Sequence, residues 1–335
     1  MSSLRLFARS LLPFAVALPV LLILQGALSG AAQSRASELA GPIAIISMVA
    51  GINVILAVSL NVVNGFTGQF SLGHAGFMAV GAYTAAKITM SFRGLESAGL
   101  SGQALFLFAL FAGMVTSALT GLIVGVPSLR LRGDYLAIVT LGFNEIILVL
   151  IRNTRYLGQA TGLSGLPKYT SFAWVGMAVL VTVVMAKRLA LSTHGRALLA
   201  IREDEVAAEA MGVDTTGYKV RSFVIASAFA GLAGGLLVHL LQLCTPPLFT
   251  FSKSIEVVGM VVLGGMGSVT GSVVSAVVLS LALEGLRSVK EFRMVGYSIL
   301  LIALMLARPT GLFGVREIWD LWPGRRRAKS AGVSP

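Results

Sequence analysis

The sequence predicts an all-helical protein that crosses a membrane many times, with about 8–10 transmembrane helices along the chain. Of its 335 residues, 56% are hydrophobic and 12% are charged, whereas soluble domains carry roughly 25% charged residues. The mean hydropathy is +0.87. Thirty-eight glycines suit close helix packing in lipid, because small residues let backbones approach one another. Residues 1–335 are interpreted as a single transmembrane domain.

Long uncharged runs divide the chain into predicted spans. The first follows Arg5 and Arg9 and is also typical of a cleaved signal peptide, but the many spans behind it favour an uncleaved helix. Glycines split the long run at 254–286 into two shorter segments. The other expected spans lie near 43–63, 75–90, 104–126, around Glu145, 172–186, 222–242 and 295–307.

Lys and Arg are distributed unevenly between the alternating loops. Sixteen of them lie in the N-terminus, the turn at 128–134, the polar insert 187–221 and the basic tail 308–335, against seven in the opposite set of loops. Cytoplasmic loops collect basic residues, so the insert and both termini are predicted to be cytoplasmic. The same bias explains the net charge of +12 better than nucleic-acid binding, since the basic residues form no single patch.

The insert 187–221 is too polar to lie within a bilayer. From Gly195 to Gly212 its apolar residues recur with helical spacing, and charged residues occupy the other faces. The insert therefore predicts an amphipathic helix outside the membrane, either a connector on the lipid surface or a surface for another protein. The residues alone favour neither of these two interpretations over the other. The apolar stripe consists of Ala197, Leu198, Ile201, Ala208 and Met211.

Two glycine-broken segments, 65–76 and 264–271, interrupt the apolar pattern at roughly corresponding places in the two halves. Paired interruptions of this kind point to a transport pathway, because irregular backbone at membrane depth must be buried in protein or line an aqueous cavity. Ordinary glycine packing, and polar groups that satisfy a re-entrant turn, are the alternatives. The candidate pathway residues are Gln69, Ser71, His74, Gly264, Gly265 and Gly267.

Glu145 is a further pathway candidate, since it lies near the centre of an apolar span. A pathway or gating role competes with a structural one, in which the carboxyl pairs with Asn144 or Arg152 or remains protonated. The structural interpretation is slightly favoured. Glu256 and Glu284 lie near segment ends and are expected at the membrane interface.

No catalytic constellation is present in the sequence. It lacks a GxxxxGK[ST] phosphate loop, a GxSxG elbow and an HExxH metal motif, and Cys244 is its single cysteine. The chain is therefore predicted not to be an enzyme and to bind no cofactor or metal itself.

Five segments together resemble the permease subunits of bacterial branched-chain amino-acid ABC importers, and the LivM type most of all. The similarity covers residues 40–315. Leu163 and Ser272 depart from the family's usual glycine and proline, which bears on the cargo more than on the family. The segments are NVVNGFTGQFSLGHAGFMAVGAYT (61–84), LRLRGDYLAIVTLGF (129–143), AIREDEVAAEAMGV (200–213), VVLGGMGSVTGSVVSA (261–276) and ARPTGLFG (307–314).

The resemblance implies a subunit of the bacterial inner membrane that pairs with a second, homologous LivH-like permease. It also implies two cytoplasmic LivG/LivF-like ATPases that hold ATP and Mg, and a periplasmic amino-acid-binding protein. The insert helix would be the coupling element, its apolar stripe docked in an ATPase groove. The expected coupling residues are Arg196, Ile201, Arg202, Glu203, Glu205, Ala208, Met211 and Gly212.

Leucine, isoleucine and valine are the commonest cargo of the family that this sequence resembles, so the resemblance favours them as cargo. Permeases for urea, short amides or other amino acids share much of the pattern and remain an alternative. A stand-alone secondary transporter is a different class. Such a transporter would favour buried ionisable pairs, and Glu145 is the deep candidate for one.

Overall fold

A computed structural model of the chain describes residues 37–92, 99–129 and 135–285, together with Ile302 and Gly311. The predicted first span and, apart from those two residues, the last span at 295–307 and the basic tail 308–335 lie outside the described residues. The described parts form a helical bundle with one pair of two-residue strands.

Ten α-helices are present in the described parts. A π-helical turn, Val62–Phe66, extends the first of them, and 3₁₀ turns lie at Arg155–Leu157 and Pro246–Phe249. The helices are α1 Ser37–Asn61, α2 His74–Ser91, α3 Gly99–Ser128, α4 Tyr135–Asn153, α5 Phe172–Leu191, α6 Thr193–Glu203, α7 Glu205–Ala210, α8 Thr215–Leu241, α9 Phe251–Gly264 and α10 Val269–Gly285.

Six described stretches are long and apolar enough to cross a membrane, which confirms a polytopic all-α membrane protein. The helix α2 is not among them because His74, Lys87 and many small residues lower its hydropathy. The apolar helix α10 is shorter. The six stretches are Ile43–Phe66, Ser101–Ser128, Tyr135–Asn153, Phe172–Leu191, Thr215–Leu241 and Pro246–Gly264.

Small residues allow α2, α3 and α8 to pack closely. A Cβ on Gly81 of α2 would overlap the backbone of Gly231 in α8. The Ser117 hydroxyl of α3 lies 2.9 Å from the Phe77 carbonyl oxygen and 2.6 Å from that of Ser227, so it bridges both neighbours. The GxxxG spacing of Gly231 and Gly235 therefore serves helix packing.

The helix α1 packs against α5, α8, α9 and α10. On the predicted outer side, strand β1 (Leu163–Ser164) pairs antiparallel with β2 (Leu243–Cys244), which joins the loop after α4 to the loop after α8. The two loops therefore lie on the same face of the molecule, as the charge count predicts.

The predicted insert 187–221 includes the ends of its two flanking helices. The helix α5 continues to Leu191 and α8 begins at Thr215, so the connection comprises residues 192–214 rather than 187–221. The expected single helix is two helices, α6 and α7, because Asp204 is extended (φ −156°, ψ 109°). Its carboxylate oxygen Oδ1 accepts hydrogen bonds from the Val206 and Ala207 amides at 2.9 and 3.0 Å, which begins α7 with an N-cap.

Candidate functional site

The two glycine-broken segments meet at the end of α1. The Asn61 side chain donates to the Ser268 carbonyl oxygen at 3.1 Å and accepts from the Gly267 amide at 2.9 Å. One buried amide group therefore satisfies both the donor and the acceptor that the break between α9 and α10 leaves without helical partners. The predicted correspondence between the segments is a direct contact in the structure.

Glycine is required at this contact for two separate reasons. A Cβ on Gly65 would overlap the Gly267 backbone nitrogen and the Asn61 side-chain oxygen. Gly265 and Gly267 have φ values of +103° and +94°, a region that residues with a Cβ rarely adopt. Gly264 packs directly on the Gly271 backbone. These glycines therefore set the path of the chain at the break.

Arg202 of α6 links the insert to this contact. Its Nη1 atom donates to the Gly65 carbonyl oxygen at 2.9 Å, and a Cβ on Gly267 would lie 2.7 Å from the same nitrogen. The Arg202 Cγ atom lies against Gly68, which has a φ of +70°. We call the set Asn61, Gly65, Gly68, Arg202, Gly267 and Ser268 the glycine junction. Sequence reasoning named Arg202 and Gly267 separately and missed Asn61.

The irregular segment between the π turn and α2 is held by neighbouring side chains. The Ser71 amide donates to the Asn64 side-chain oxygen at 3.2 Å, and the Leu72 amide donates to the Thr140 hydroxyl at 3.0 Å. Ser71 is buried, and Gln69 is half-buried with an Oε1 atom that has no hydrogen-bond donor among the described residues. These contacts favour the re-entrant-turn interpretation for Ser71.

His74 begins α2 and is buried. Its Nε2 atom lies 3.0 Å from the Ser59 hydroxyl oxygen of α1, and the next amide, Ala75, donates to the Ser254 hydroxyl of α9 at 3.2 Å. His74 therefore joins the helices at the bundle interior.

Glu145 lies half-buried in α4. The Asn144 side-chain nitrogen lies 3.4 Å from its Oε1 atom, which matches one of the structural alternatives. Asn144 is itself buried against Gly76 of α2. The structure thus gives Glu145 a local partner in the adjacent Asn144.

Three of the five residues of the predicted apolar stripe pack inside the chain, whereas its member Met211 is exposed. Leu198, Ile201 and Ala208 are buried, since α6 lies against α5, α8 and the π turn while α7 lies against α8. The expectation that Ile201 and Ala208 meet a partner groove is therefore wrong, because the protein's own helices already cover them.

The outward face of the insert carries different residues. Arg196, Glu203 and Gly212 are exposed. Among the apolar residues Leu199, Val206 and Met211 are exposed, Met211 to 84%. We call these last three residues the outer apolar patch. Periodicity missed Leu199 and Val206 because both lie off the stripe that the helical spacing selects.

Glu205 anchors α7 to the bundle. Its Oε2 atom lies 2.6 Å from the Lys219 ammonium of α8, and the side chains are 30% and 3% exposed, respectively. The Glu205 carboxylate therefore neutralises a buried cation of its own chain. This contact gives Glu205 a structural role, whereas the sequence predicted a role in docking a partner.

Comparison with known proteins places the chain in a family. Residues 43–308 match the model of the branched-chain amino acid transport system permease component. The chain belongs to this permease family. Its members are transport subunits rather than enzymes.

Several characterised permeases are similar to this one over most of its length. It is 35% identical to the high-affinity branched-chain amino acid permease LivM of Salmonella typhimurium, over 92% of this chain and 74% of the relative. It is also 35% identical to LivM of Escherichia coli, over 78% and 67%. LivH of Salmonella typhimurium is 24% identical, over 79% and 92%. No solved structure matches the permease.

Proposed function

We propose that this permease is the LivM-type subunit of an ATP-driven importer for leucine, isoleucine and valine, and that it forms half of the translocation pathway. Both the family and the similarity to LivM over most of the chain support this function. The observation that carries the mechanism is the Arg202 contact, because it connects the insert to the glycine junction.

The insert couples ATP hydrolysis to the pathway through this contact. An ATPase subunit binds the outer apolar patch, which is suited to a groove in another protein. A displacement of α6 then moves the Arg202 guanidinium, and with it the Gly65 carbonyl and the backbone around Gly267. Because glycines with positive φ values lie in that segment, its backbone can change conformation with little steric cost.

The complete transporter contains partners beyond this chain. A second permease of the LivH type completes the pathway, two cytoplasmic ATPases hold ATP and Mg, and a periplasmic binding protein delivers the amino acid. The chain then binds no cofactor itself. In this proposal the subunit lies in the bacterial inner membrane, with the insert and both termini in the cytoplasm. Residues 1–335 then form one transmembrane domain.

Co-purification with the ATPases tests the coupling surface. Met211→Asp places a charge in the outer apolar patch without touching the buried stripe, so we expect loss of ATPase co-purification and of leucine uptake at normal membrane levels. Ala160→Asp, on the opposite face, serves as the matched control because Ala160 is also exposed. Normal ATPase binding and uptake in the Met211 variant would refute the assigned docking surface.

Proteoliposomes test the transporter class and the cargo. The reconstituted complex is expected to import leucine, isoleucine and valine with ATP, and to leave urea and short amides outside. Uptake by this chain alone that stops when an ion gradient is collapsed would instead identify a secondary transporter, and Glu145 would become the residue to replace.

A further inference from the structure

A charged cluster joins α1, α9 and α10 away from the glycine junction. The Lys253 ammonium lies 2.9 Å from the Asn53 side-chain oxygen and 3.0 Å from the Glu256 Oε1 atom. The Asn53 side-chain nitrogen donates to the Ser280 hydroxyl at 2.8 Å. Three helices therefore contribute to one connected polar group.

The cluster lies deep within the membrane-spanning region. Asn53 is buried and lies ten residues after Ile43, the first residue of the span Ile43–Phe66. It is therefore roughly 15 Å from that end of the span. Lys253, one of the seven basic residues assigned to the outer loops, and Glu256, expected at the membrane interface, both lie on α9 within the span Pro246–Gly264.

Both charged groups can be reached from outside the chain. The side chains of Lys253 and Glu256 are 17% and 20% exposed, and Phe251 and Ile255 of the same helix expose apolar surface beside them. Ionised groups at membrane depth face water or protein and not lipid hydrocarbon. This face of α9 therefore borders an aqueous space or another subunit.

The Lys253 ammonium has capacity for a further acceptor. Its three N–H groups meet two acceptors among the described residues, Asn53 and Glu256. A carboxylate is a strong partner for such a donor, because charge-assisted hydrogen bonds are stronger than neutral ones. The Glu256 carboxylate can in turn accept from an ammonium group.

We propose that Lys253 and Glu256 bind the zwitterionic backbone of an amino acid during transport. Lys253 receives the α-carboxylate, Glu256 receives the α-ammonium, and Ile255 with Phe251 contacts the apolar side chain of the cargo. Each charged end of the cargo then lies against an opposite charge of the site, so neither end is left bare at membrane depth. This site deepens the proposed function and rests on it.

The reconstituted transporter, with its ATPases and cargo-loaded binding protein, tests the site. Lys253→Met and Glu256→Gln are each expected to lower leucine uptake by about tenfold or more, as loss of a charge-assisted hydrogen bond predicts. ATP hydrolysis stimulated by the binding protein should persist. Lys87→Met, which removes a lysine from the outer end of α2, is the matched control and should import normally.

A purely structural ion pair predicts a different result. Uptake and hydrolysis would then fall together, or Lys253→Met combined with Glu256→Gln would restore uptake, and either outcome overturns the site. If these variants do not assemble, Glu256→Asp keeps the charge but withdraws it by one methylene, and normal uptake in that variant also overturns the site. Absence of ATP-dependent uptake in the unaltered complex would instead refute the proposed function.

Discussion

Arg202 shows how one side chain can join a helix of the polar insert to a break in the membrane-spanning helices. Its guanidinium donates to a carbonyl oxygen at the end of α1, a position where the π turn leaves backbone acceptors available. A hydrogen bond from a charged donor contributes about 1.5–3 kcal/mol. The contact is therefore strong enough to transmit a displacement of α6, and weak enough to break during a transport cycle.

Replacement of Arg202 should uncouple the transporter. We expect Arg202→Ala to reduce leucine uptake strongly while the ATPases still bind, because the outer apolar patch is unchanged. Arg202→Lys can still reach one acceptor and should retain part of the uptake. Arg155→Ala removes an exposed arginine from the loop after α4 and should import normally. Equal loss in the Arg155 and Arg202 variants would contradict a specific role for the junction.

Gly65 should not tolerate even one methyl group. Gly65→Ala places a Cβ on the Gly267 backbone nitrogen, so we expect a lower thermal unfolding temperature of the purified permease in detergent. Gly142→Ala is the matched control, because nothing lies within 4 Å of its added Cβ and alanine favours a helix by about 1 kcal/mol over glycine. An unchanged unfolding temperature for Gly65→Ala would show that the junction opens freely.

At the scale of the element, the insert shows what an amphipathic pattern can and cannot predict. Periodicity correctly placed Leu198, Ile201 and Ala208 on one buried face, but it wrongly added Met211, which is exposed. It could not say what covers that face, because a groove in the same chain and a groove in a partner select the same residues. The break at Asp204 was also missed, since an acidic residue among good helix formers carries no stop signal unless its side chain caps the next turn.

The ion pair between Glu205 and Lys219 should stabilise the position of α7. Glu205→Gln leaves the nearly buried Lys219 without its counter-charge, so we expect a lower unfolding temperature. The loss should fall below the roughly 3–5 kcal/mol of a fully buried pair, because Glu205 retains partial exposure. Adding Lys219→Met should recover much of the loss.

Glu203→Gln is the comparison for this pair, since Glu203 is an exposed acid on the adjacent helix. It should leave the unfolding temperature unchanged. If Glu205→Gln abolishes ATPase binding without affecting stability, Glu205 belongs to the docking surface after all.

At the scale of the whole molecule, hydropathy and glycine placement predicted the succession of spans well. The split of the 254–286 run is confirmed by the break between α9 and α10, because four glycines in eight residues favour irregular backbone. Lys253 shows the limit of the approach: a charged residue was taken to mark a loop, whereas tertiary partners on α1 allow it to lie within the bundle.

Cysteine labelling tests the orientation of the molecule. Ala160→Cys should react with a membrane-impermeant maleimide in cells with a permeabilised outer membrane, whereas Met211→Cys should react only after the inner membrane is opened. The unaltered chain is its own control, because Cys244 is fully buried and should remain unlabelled. Labelling of Met211→Cys from outside would reverse the orientation that the basic residues predict.

The burial of the stripe formed by Leu198, Ile201 and Ala208 has a consequence for how the transporter assembles. A segment that became ordered only on its partner would lose conformational entropy at the moment of association, and its affinity would be reduced accordingly. Here α6 and α7 pack against their own protein, so they need no partner, such as the proposed ATPase, to become ordered. Assembly can therefore proceed as the docking of two preformed bodies, with most of the association free energy available for affinity.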